Sequence, residues 1–248
     1  MVVAVAFDSA GEAAVRDFVR PTDLAALPPV IRDIMGWEEK LWERAGTPTY
    51  PCLIDRDHVV AELYGMVNVP SSVWIDENGR MVRPPESAGS SDNFRTMDPV
   101  TFSMPADAAE DGKRRRKVYV DALRDWIENG AKSRHVVAEA ELLRRTRGFS
   151  DDEALAAAHF RLGTYLHRHG KAEAAKRHLD EAVRLRPDSW NFRRQEIVLR
   201  DPALTGQFAA TPEYWEALQA LGDRYYYPPV EMEGMPDPVH PNQRATGG

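Results

Sequence analysis

The sequence predicts an α/β domain followed by an all-helical module. Val2–Phe7 is a continuous apolar run, which is typical of a parallel strand buried on both faces of a sheet. Residues 50–82 then alternate between strand and helix signals, and from Asp152 onward the apolar residues recur at helical spacing. The chain has 248 residues, which is enough for two modest domains.

The first strand is followed by a predicted helix at Glu12–Val19. Asp8 or Ser9 can cap it, because short polar side chains accept hydrogen bonds from the free N–H groups of a first helical turn. Pro21 closes the helix, since a proline disfavours helical backbone at the residue before it.

Residues 50–82 predict a strand, a helix and a β-hairpin. The helix carries apolar residues at helical spacing: Val59, Val60, Leu63 and Tyr64. It ends at Gly65, because glycine readily adopts the left-handed backbone of a helix C-cap. The hairpin arms are Ser72–Asp76 and Arg80–Val82, and the connection contains Asn78-Gly79, two residues that tolerate the positive φ of tight hairpin turns.

The order of these elements resembles the thioredoxin fold, in the branch of the alkyl hydroperoxide reductases and membrane-linked thiol-disulfide oxidoreductases. The residues that carry the resemblance are Tyr50-Pro51, Asp55, Ala61, Tyr64-Gly65, Val67, Val69-Pro70, Ile75-Asp76 and Asn78-Gly79-Arg80. In that family the proline corresponding to Pro70 is cis and its loop faces the active-site cysteines. The resemblance therefore implies a cis Val69–Pro70 bond and a substrate-binding role for Val69 and Pro70, within a thioredoxin-like domain over residues 1–130. The alternative is a plain loop before a strand of another α/β domain.

The redox-active motif of that family is absent from the sequence, so the implied thioredoxin-like fold is N-terminally truncated. In the family, a cysteine pair lies in the first turn of a helix that precedes the strand corresponding to Val2–Phe7, where the helix N-terminus lowers the cysteine pKa. Three explanations are open. The start codon is placed too far downstream, for instance after a selenocysteine codon read as a stop; the domain is redox-inactive and only binds; or the fold is different and the loop similar. The aggregation risk of an uncovered apolar strand favours the first.

Cys52 is the only cysteine, so the chain contains neither an internal disulfide nor a Cys-x-x-Cys pair. Its position at the start of the strand Cys52–Ile54 predicts a small buried side chain. A reactive thiol needs a partly exposed, electropositive setting, and Arg56 and His58 are distant along an extended segment. Cys52 is therefore only a secondary candidate for a reactive thiol.

Two segments are predicted as additions to the α/β domain. Residues 21–49 form an insertion between prolines, in which Val30–Arg44 has helical periodicity and predicts a helical cover, with a substrate lid as the alternative. Residues 84–112 are rich in Pro, Ser, Asp and Gly and predict a long, poorly structured connection.

The domain closes with a predicted helix at Lys113–Asn129. Its first turn would be the basic run Lys113–Lys117, which opposes the helix dipole. A basic run without interleaved aromatic residues is typical of a solvated helix end, so we expect no nucleic-acid partner.

The segment Ala156–Pro187 resembles a tetratricopeptide repeat. The residues at the usual offsets of the repeat are Leu162-Gly163, Leu166, Gly170, Ala175, Leu179, Ala182 and Pro187. Gly163 and Ala175 would let two antiparallel helices approach, Ala182 would pack the next helix, and the proline would stop the second helix. We predict a helical module over residues 131–210, with flanking helices at Val136–Arg145 and Ser189–Leu199. The resemblance implies binding of peptides or subunits; simple helical packing is the alternative.

Residues 211–248 form a predicted tail with one short helix that contains Tyr214, Trp215, Leu218 and Leu221. The stretch Tyr225–Pro229 is apolar enough that we expect it to pack on the rest of the chain. The composition beyond it predicts disorder after about residue 236.

Composition and residue spacing argue against several further sites. No apolar run approaches the ~18 residues of a membrane helix, and no signal-peptide pattern follows Met1, so the sequence predicts a cytoplasmic protein with no membrane partner. The histidines of the helical module are His159, His167, His169 and His178. Two of them are two residues apart, which points them to different helix faces. We therefore expect no metal site, and no cofactor.

The leading functional hypothesis is a thiol-disulfide oxidoreductase or a peroxide-reducing antioxidant, by resemblance, acting on a protein or a small thiol or peroxide substrate. Its thiolate or selenolate is absent from the chain, so no catalytic residue is assigned. The rival hypothesis is a redox-inactive adaptor, in which the thioredoxin-like domain and the helical module bind partner proteins.

Overall fold

The computed structural model describes residues 1–16, 48–146, 148–201, 204 and 211–238, which form a mixed α/β structure. The strands are β1 (Ala4–Ala6), β2 (Cys52–Ile54), β3 (Ser71–Ile75) and β4 (Met81–Ser87). The helices are α1 (Glu12–Val15), α2 (Val59–Leu63), α3 (Ala106–Asn129), α4 (Glu139–Arg145), α5 (Asp151–Arg168), α6 (Ala172–Leu185), α7 (Trp190–Arg200) and α8 (Pro212–Gln219). None of these helices is both long and apolar enough to cross a membrane.

Contacts divide the chain into two compact units. The described part of the first unit combines residues 1–16 and 48–67 with residues from 148 to 214, and that of the second combines 68–146 with 215–238. This division does not follow the predicted domain boundaries near residues 130 and 210. Those boundaries rest on resemblance and stay predictions.

In the first unit, β1 and β2 pair in parallel, with Ala4 opposite Cys52 and Ala6 opposite Ile54. The predicted parallel strand is thus confirmed, but its burial on both faces is wrong. Val2 and Val3 are 56% and 44% exposed, and both apolar residues of β2 are exposed as well. Within the described ranges no third strand joins the pair. An apolar run specifies the character of a strand and not how many neighbours cover it.

The helices next to these strands follow the sequence in part. α2 ends as predicted, with Gly65 in left-handed backbone at φ +64°. The N-cap of α1 is Gly11 and not Asp8 or Ser9, since no side chain caps this helix. The remainder of the predicted first helix and most of the insertion at 21–49 lie outside the described residues.

α5 and α6 form the helical hairpin that the sequence predicts. Their closest approach is at Gly163, where an added β-carbon would lie 2.8 Å from Cγ of Leu179 and 3.2 Å from the carbonyl oxygen of Ala175. Both Ala175 and Leu179 are buried. The predicted reason for a glycine at this position is therefore confirmed, while membership of the tetratricopeptide family stays a prediction.

The apolar core of the first unit extends from the hairpin to α7. It consists of Ala156, Ala157, Phe160, Leu179, Ala182 and Phe192. The rings of Phe160 and Phe192 stack with their centroids 4.4 Å apart. Ala182 is fully buried next to α7, which confirms the predicted packing of a following helix against this alanine.

The β-hairpin of the second unit, β3–β4, is antiparallel, as predicted. Its turn uses positive φ at Gly79 alone, at +77°. Asn78 needs no such backbone, because the Asp76 carboxylate accepts hydrogen bonds from the N–H groups of Asn78 and Arg80 at 2.9 and 2.8 Å. The Val69–Pro70 bond at the start of the hairpin is cis, as the resemblance implied.

Residues 84–112 are more ordered than predicted. They contain the end of β4, a 3₁₀ turn at Asp92–Thr96 and the beginning of α3 at Ala106. The basic run therefore lies inside a helix and not at its N-terminus. Its ion pairs explain why the helix tolerates these charges: Arg114 and Arg115 contact Asp111, and Lys117 contacts Asp121. Such pairs one turn apart stabilise a helix. Asp111-Gly112 is a dipeptide typical of turns, so the sequence pattern did not indicate that Asp111 belongs to the same helix.

The C-terminal segment packs on the second unit, as predicted for Tyr225–Pro229. Three arginines have side chains that are at most 7% exposed, and we call them the arginine anchors. They donate hydrogen bonds to the segment's backbone carbonyls: Arg83 to Glu231, Arg95 to Gly222 and Arg224, and Arg115 to Pro236 and Asp237. Each anchor also contacts one carboxylate, of Glu86, Asp92 and Asp111 respectively. The predicted disorder begins at about residue 236, and residues 239–248 lie outside the described residues.

Candidate functional site

Polar residues gather after the two parallel strands of the first unit. The carboxyl ends of parallel strands lie at one edge of a sheet, where α/β proteins commonly bind ligands. Asp8 and Ser9 follow β1, Asp55 follows β2, and all three are buried. The Asp55 carboxylate accepts hydrogen bonds from the first N–H groups of α2 at 2.7 to 3.2 Å. The Ser9 N–H donates to Oε1 of Gln195 on α7 at 3.0 Å.

His58 follows Asp55 by three residues and is 2% exposed. Its ring contacts Phe160 edge-on, with centroids 4.9 Å apart, and lies 5.9 Å from the ring of Phe7. Neither ring nitrogen has a hydrogen-bond partner in the part of the chain that the structure describes. Burial lowers the pKa of His58 from 6.5 to about 4, although the nearby Asp55 carboxylate raises it.

This group of residues supports the fold more directly than it supports chemistry. Asp55 caps α2, and Gln195 connects α7 to the loop after β1. His58 is neutral at pH 7 because of its low pKa, so it has both a donor and an acceptor nitrogen. Since aromatic rings enclose it, no substrate reaches either nitrogen in this conformation. We assign no catalytic role to it.

The predicted substrate-binding loop is engaged within the chain. The Val69 N–H donates to the side chain of Asn68 at 2.8 Å, and the Tyr227 hydroxyl donates to the Val69 carbonyl at 2.6 Å. Asn68 in turn donates to the carbonyl of Tyr226 at 3.0 Å. The Pro70 carbonyl accepts from Ala88. The backbone groups of Val69 that would hold a substrate are thus already paired, and the C-terminal segment supplies one of the partners.

Cys52 is exposed, and this corrects the prediction of a small buried side chain. The other two residues of β2 are exposed as well, so no face of this strand is covered at Cys52. Arg56 and His58, the two basic residues named as candidates to activate the thiol, are engaged elsewhere. Arg56 donates to the carbonyl of Ser9 at 3.3 Å, and His58 is enclosed by aromatic rings. The structure therefore places the thiol at the surface, and neither Arg56 nor His58 is positioned to activate it.

Two of the four histidines of the helical module meet across the hairpin. His159 on α5 and His178 on α6 have their Nδ1 atoms 2.9 Å apart. His169 lies elsewhere, with its Nδ1 atom 2.8 Å from the carbonyl of Tyr165. Among the described residues no group of three or more His, Cys, Asp or Glu side chains surrounds a single point. The two facing histidines are thus a pair and not a preformed cluster.

The outer face of α5 carries an apolar stripe, formed by Leu155, Ala158, Leu162 and Tyr165. All four side chains are exposed, although the opposite face of the same helix forms the core of the hairpin. Asp151 and Asp152 lie at the N-terminal end of the stripe, and Arg168 lies at its C-terminal end. α5 is therefore apolar on two sides.

Sequence reasoning missed the histidine pair and the stripe, although both leave a local signal. α5 ends at Arg168 and α6 begins at Ala172, so an antiparallel hairpin brings together residues at similar distances on either side of this connection, such as His159 and His178. The stripe recurs at intervals of three and four residues, which is a helical period. His58 has a weaker signal, a histidine three residues after the acidic end of a strand.

No protein-family model, no curated protein and no solved structure matches the chain.

Proposed function

We propose that the chain is a protein-binding module that accepts an amphipathic helix of a partner protein on the outer face of α5. The apolar stripe of that helix carries the proposal. Leu155, Leu162 and Tyr165 are 48%, 42% and 51% exposed, and the smaller Ala158 lies between them. A contiguous exposed apolar patch is the usual mark of an interaction surface.

The spacing of the stripe favours a helix as the occupant. Its residues lie at positions i, i+3, i+7 and i+10, which is the seam that one helix presents to another. The opposite face of α5 already packs on α6 through Ala156, Phe160 and Gly163. Helices with apolar residues on two sides are typical of helical stacks, in which each helix has neighbours on both sides.

The charges at the ends of the stripe favour an antiparallel partner. Asp151 and Asp152 begin α5, and Arg168 ends it. Helices generally carry acidic residues in the first turn and basic residues in the last, because these charges complement the helix dipole. A partner helix antiparallel to α5 would place its basic end beside the aspartates and its acidic end beside the arginine.

Two further observations support binding over redox chemistry. The chain has a single cysteine, whereas thiol-disulfide exchange within one protein requires a second thiol. The backbone groups of Val69 are paired with Asn68 and Tyr227, so they are not free to hold a substrate. The oxidoreductase activity implied by the resemblance to thioredoxin-like proteins stays a prediction.

A site-specific crosslink tests the proposal. A photoreactive amino acid is placed at Leu162 in the full chain, in the cells that normally produce it, and adducts are mapped by mass spectrometry. The control position is Lys176, which is exposed on α6 away from the stripe. We expect position 162 to crosslink to a segment with apolar residues at spacings of three and four, and position 176 not to do so.

The double variant Leu155→Glu/Leu162→Glu should abolish the adduct, because two carboxylates interrupt the apolar seam. Circular dichroism checks that the variant keeps its helical content. Equal crosslinking at both positions, or an adduct that survives the double variant, would contradict the proposal. An adduct with a second copy of this chain would mean that the stripe forms a homodimer and does not bind another protein. Sedimentation velocity would detect that homodimer.

A further inference from the structure

We infer that His159 and His178 form a binding site for a divalent late first-row transition metal, with Zn²⁺ as the reference ion. The inference does not depend on the proposed partner helix. The two rings lie 5.0 Å apart between centroids, with an angle of 35° between their planes. Both side chains are half-buried, and the residues that follow them, Phe160 and Leu179, belong to the core. The backbone on both sides of the site is therefore held by packing.

The distance between the two nitrogens suits a shared metal. Zn²⁺ binds histidine nitrogens at ~2.0–2.1 Å, so two nitrogens on a tetrahedral ion lie about 3.3 Å apart. The Nδ1 atoms of His159 and His178 are 2.9 Å apart without a metal. These two nitrogens share a hydrogen bond without a metal, so metal binding must break this bond and turn both rings towards one ion.

Glu181 is the natural third ligand. It lies one helical turn after His178, so the two side chains share a face of α6. Its carboxylate now contacts Arg184 at 2.6 and 2.7 Å, and exposed ion pairs of this kind are weak. Turning this carboxylate from Arg184 to the metal would complete a site of two imidazoles and one carboxylate, with water in the remaining position.

The donor set selects the class of ion. Imidazole nitrogen is a good ligand for Zn²⁺, Cu²⁺ and Ni²⁺, whereas Mg²⁺ and Ca²⁺ prefer sites made of oxygen. Because the ligands come from both helices, a bound metal would link α5 to α6 near the middle of each helix. A ligand that binds only the folded state raises the melting temperature in proportion to the logarithm of its concentration.

Calorimetric titration of the tag-free full chain with ZnCl₂ tests the site. We expect saturable binding of one equivalent and a rise in melting temperature that grows with Zn²⁺ concentration. His159→Gln and His178→Gln should each weaken binding by about tenfold or more, since changes around a metal site commonly reduce affinity by this factor. Glu181→Gln should weaken it less. The matched controls His167→Gln and His169→Gln should bind as the wild type does.

A second measurement keeps the inference testable if a variant folds poorly. Electron paramagnetic resonance of the Cu²⁺-loaded wild-type chain should show coupling to two imidazole nitrogens. No saturable binding up to millimolar Zn²⁺ would overturn the inference. Unchanged binding in the double variant His159→Gln/His178→Gln would also overturn it, because the metal would then lie at other histidines.

Discussion

In the second unit, three arginines with almost fully buried side chains each contact a carboxylate and the carbonyls of the C-terminal segment, whereas in the first unit neither ring nitrogen of the buried His58 has a hydrogen-bond partner among the described residues. Buried charges are stable only when they are paired and hydrogen-bonded, and an unpaired buried group instead stays neutral. Both solutions appear in this chain. The stability of the second unit should therefore fall when one member of a buried ion pair is removed. The stability of the first unit should fall when His58 is protonated.

The largest effect is expected from breaking one arginine anchor. Arg83→Met removes the partner of Glu86 and the donor to the carbonyls of His135 and Glu231. Breaking a buried ion pair leaves the second charge without compensation and destabilises a fold by ~3–5 kcal/mol. Chemical denaturation, followed by tryptophan fluorescence, measures the free energy of unfolding.

The matched control is Arg134→Met, because Arg134 forms an ion pair with Glu233 in which both side chains are exposed. Exposed pairs contribute only ~0–1 kcal/mol. Restoring an apolar pair with Arg83→Met/Glu86→Leu should recover much of the lost stability. If Arg83→Met and Arg134→Met lowered the free energy of unfolding equally, the buried ion pair would contribute no more stability than the exposed one.

Acid should destabilise the first unit through His58. The folded state holds the pKa of this histidine at about 4, against 6.5 in the unfolded chain, so the unfolded chain binds more protons between these pH values. The stabilisation is fully present above pH 6.5 and is lost as the pH falls to 4, a change of about 3 kcal/mol.

The measurement compares unfolding free energies from pH 7 to 4 in the wild type and in His58→Asn. Asparagine is the chosen replacement because it tolerates the left-handed backbone at φ +56°. The difference between the two curves should contain the His58 contribution, since the other titrating groups are shared. Parallel curves would show that His58 is not buried as a neutral group.

A pair of glycine substitutions should have opposite signs in the two units. Gly163→Ala places a β-carbon 2.8 Å from Leu179, and such overpacking costs ~1–3 kcal/mol, offset by up to ~1 kcal/mol of helix propensity. Gly112→Ala in α3 meets no atom closer than 3.9 Å, so propensity alone should stabilise it by ~1 kcal/mol. Thermal unfolding of both variants gives the signs, and stabilisation by Gly163→Ala would disprove the tight contact in the helical hairpin.

The smallest effect is expected at an exposed ion pair on α6. Lys176 contacts Asp180 at 2.6 Å, one turn along the helix, with both side chains about half exposed. Lys176→Gln should lower the free energy of unfolding only slightly, and the loss should disappear in high salt, because solvent and salt screen an exposed pair. The buried pair Arg115–Asp111 has the same spacing. If Asp111→Asn lowered the free energy of unfolding only as much as Lys176→Gln does, burial would not strengthen an ion pair at this spacing.

Signals that act within one turn or one contact were predicted correctly. Gly65 was predicted to end a helix and Gly79 to form a hairpin turn, and both have the positive φ that these roles require. The close helix approach at Gly163 also follows from residues only a hairpin apart. In each case the determining interaction lies near the residue in sequence, so the pattern contains the information.

The candidate sites were predicted less well, because their surroundings come from distant segments. The role of Val69 depends on Tyr227, which lies far along the chain and donates to its carbonyl. Cys52 is exposed together with the other two residues of β2, which its own apolar strand cannot indicate. The basic run in α3 was assigned to a helix start because its carboxylate partner Asp111 resembled part of a turn.

By itself, the sequence determined where helices and turns form: the helical hairpin, the β-hairpin and the glycines that shape both. Only the tertiary structure decided which of these surfaces are covered, which arginines are buried and which histidines meet. The physical reason is that backbone conformation depends on neighbours along the chain, whereas burial and pairing depend on atoms brought together from remote positions. His159 and His178 become a pair only when α5 and α6 pack.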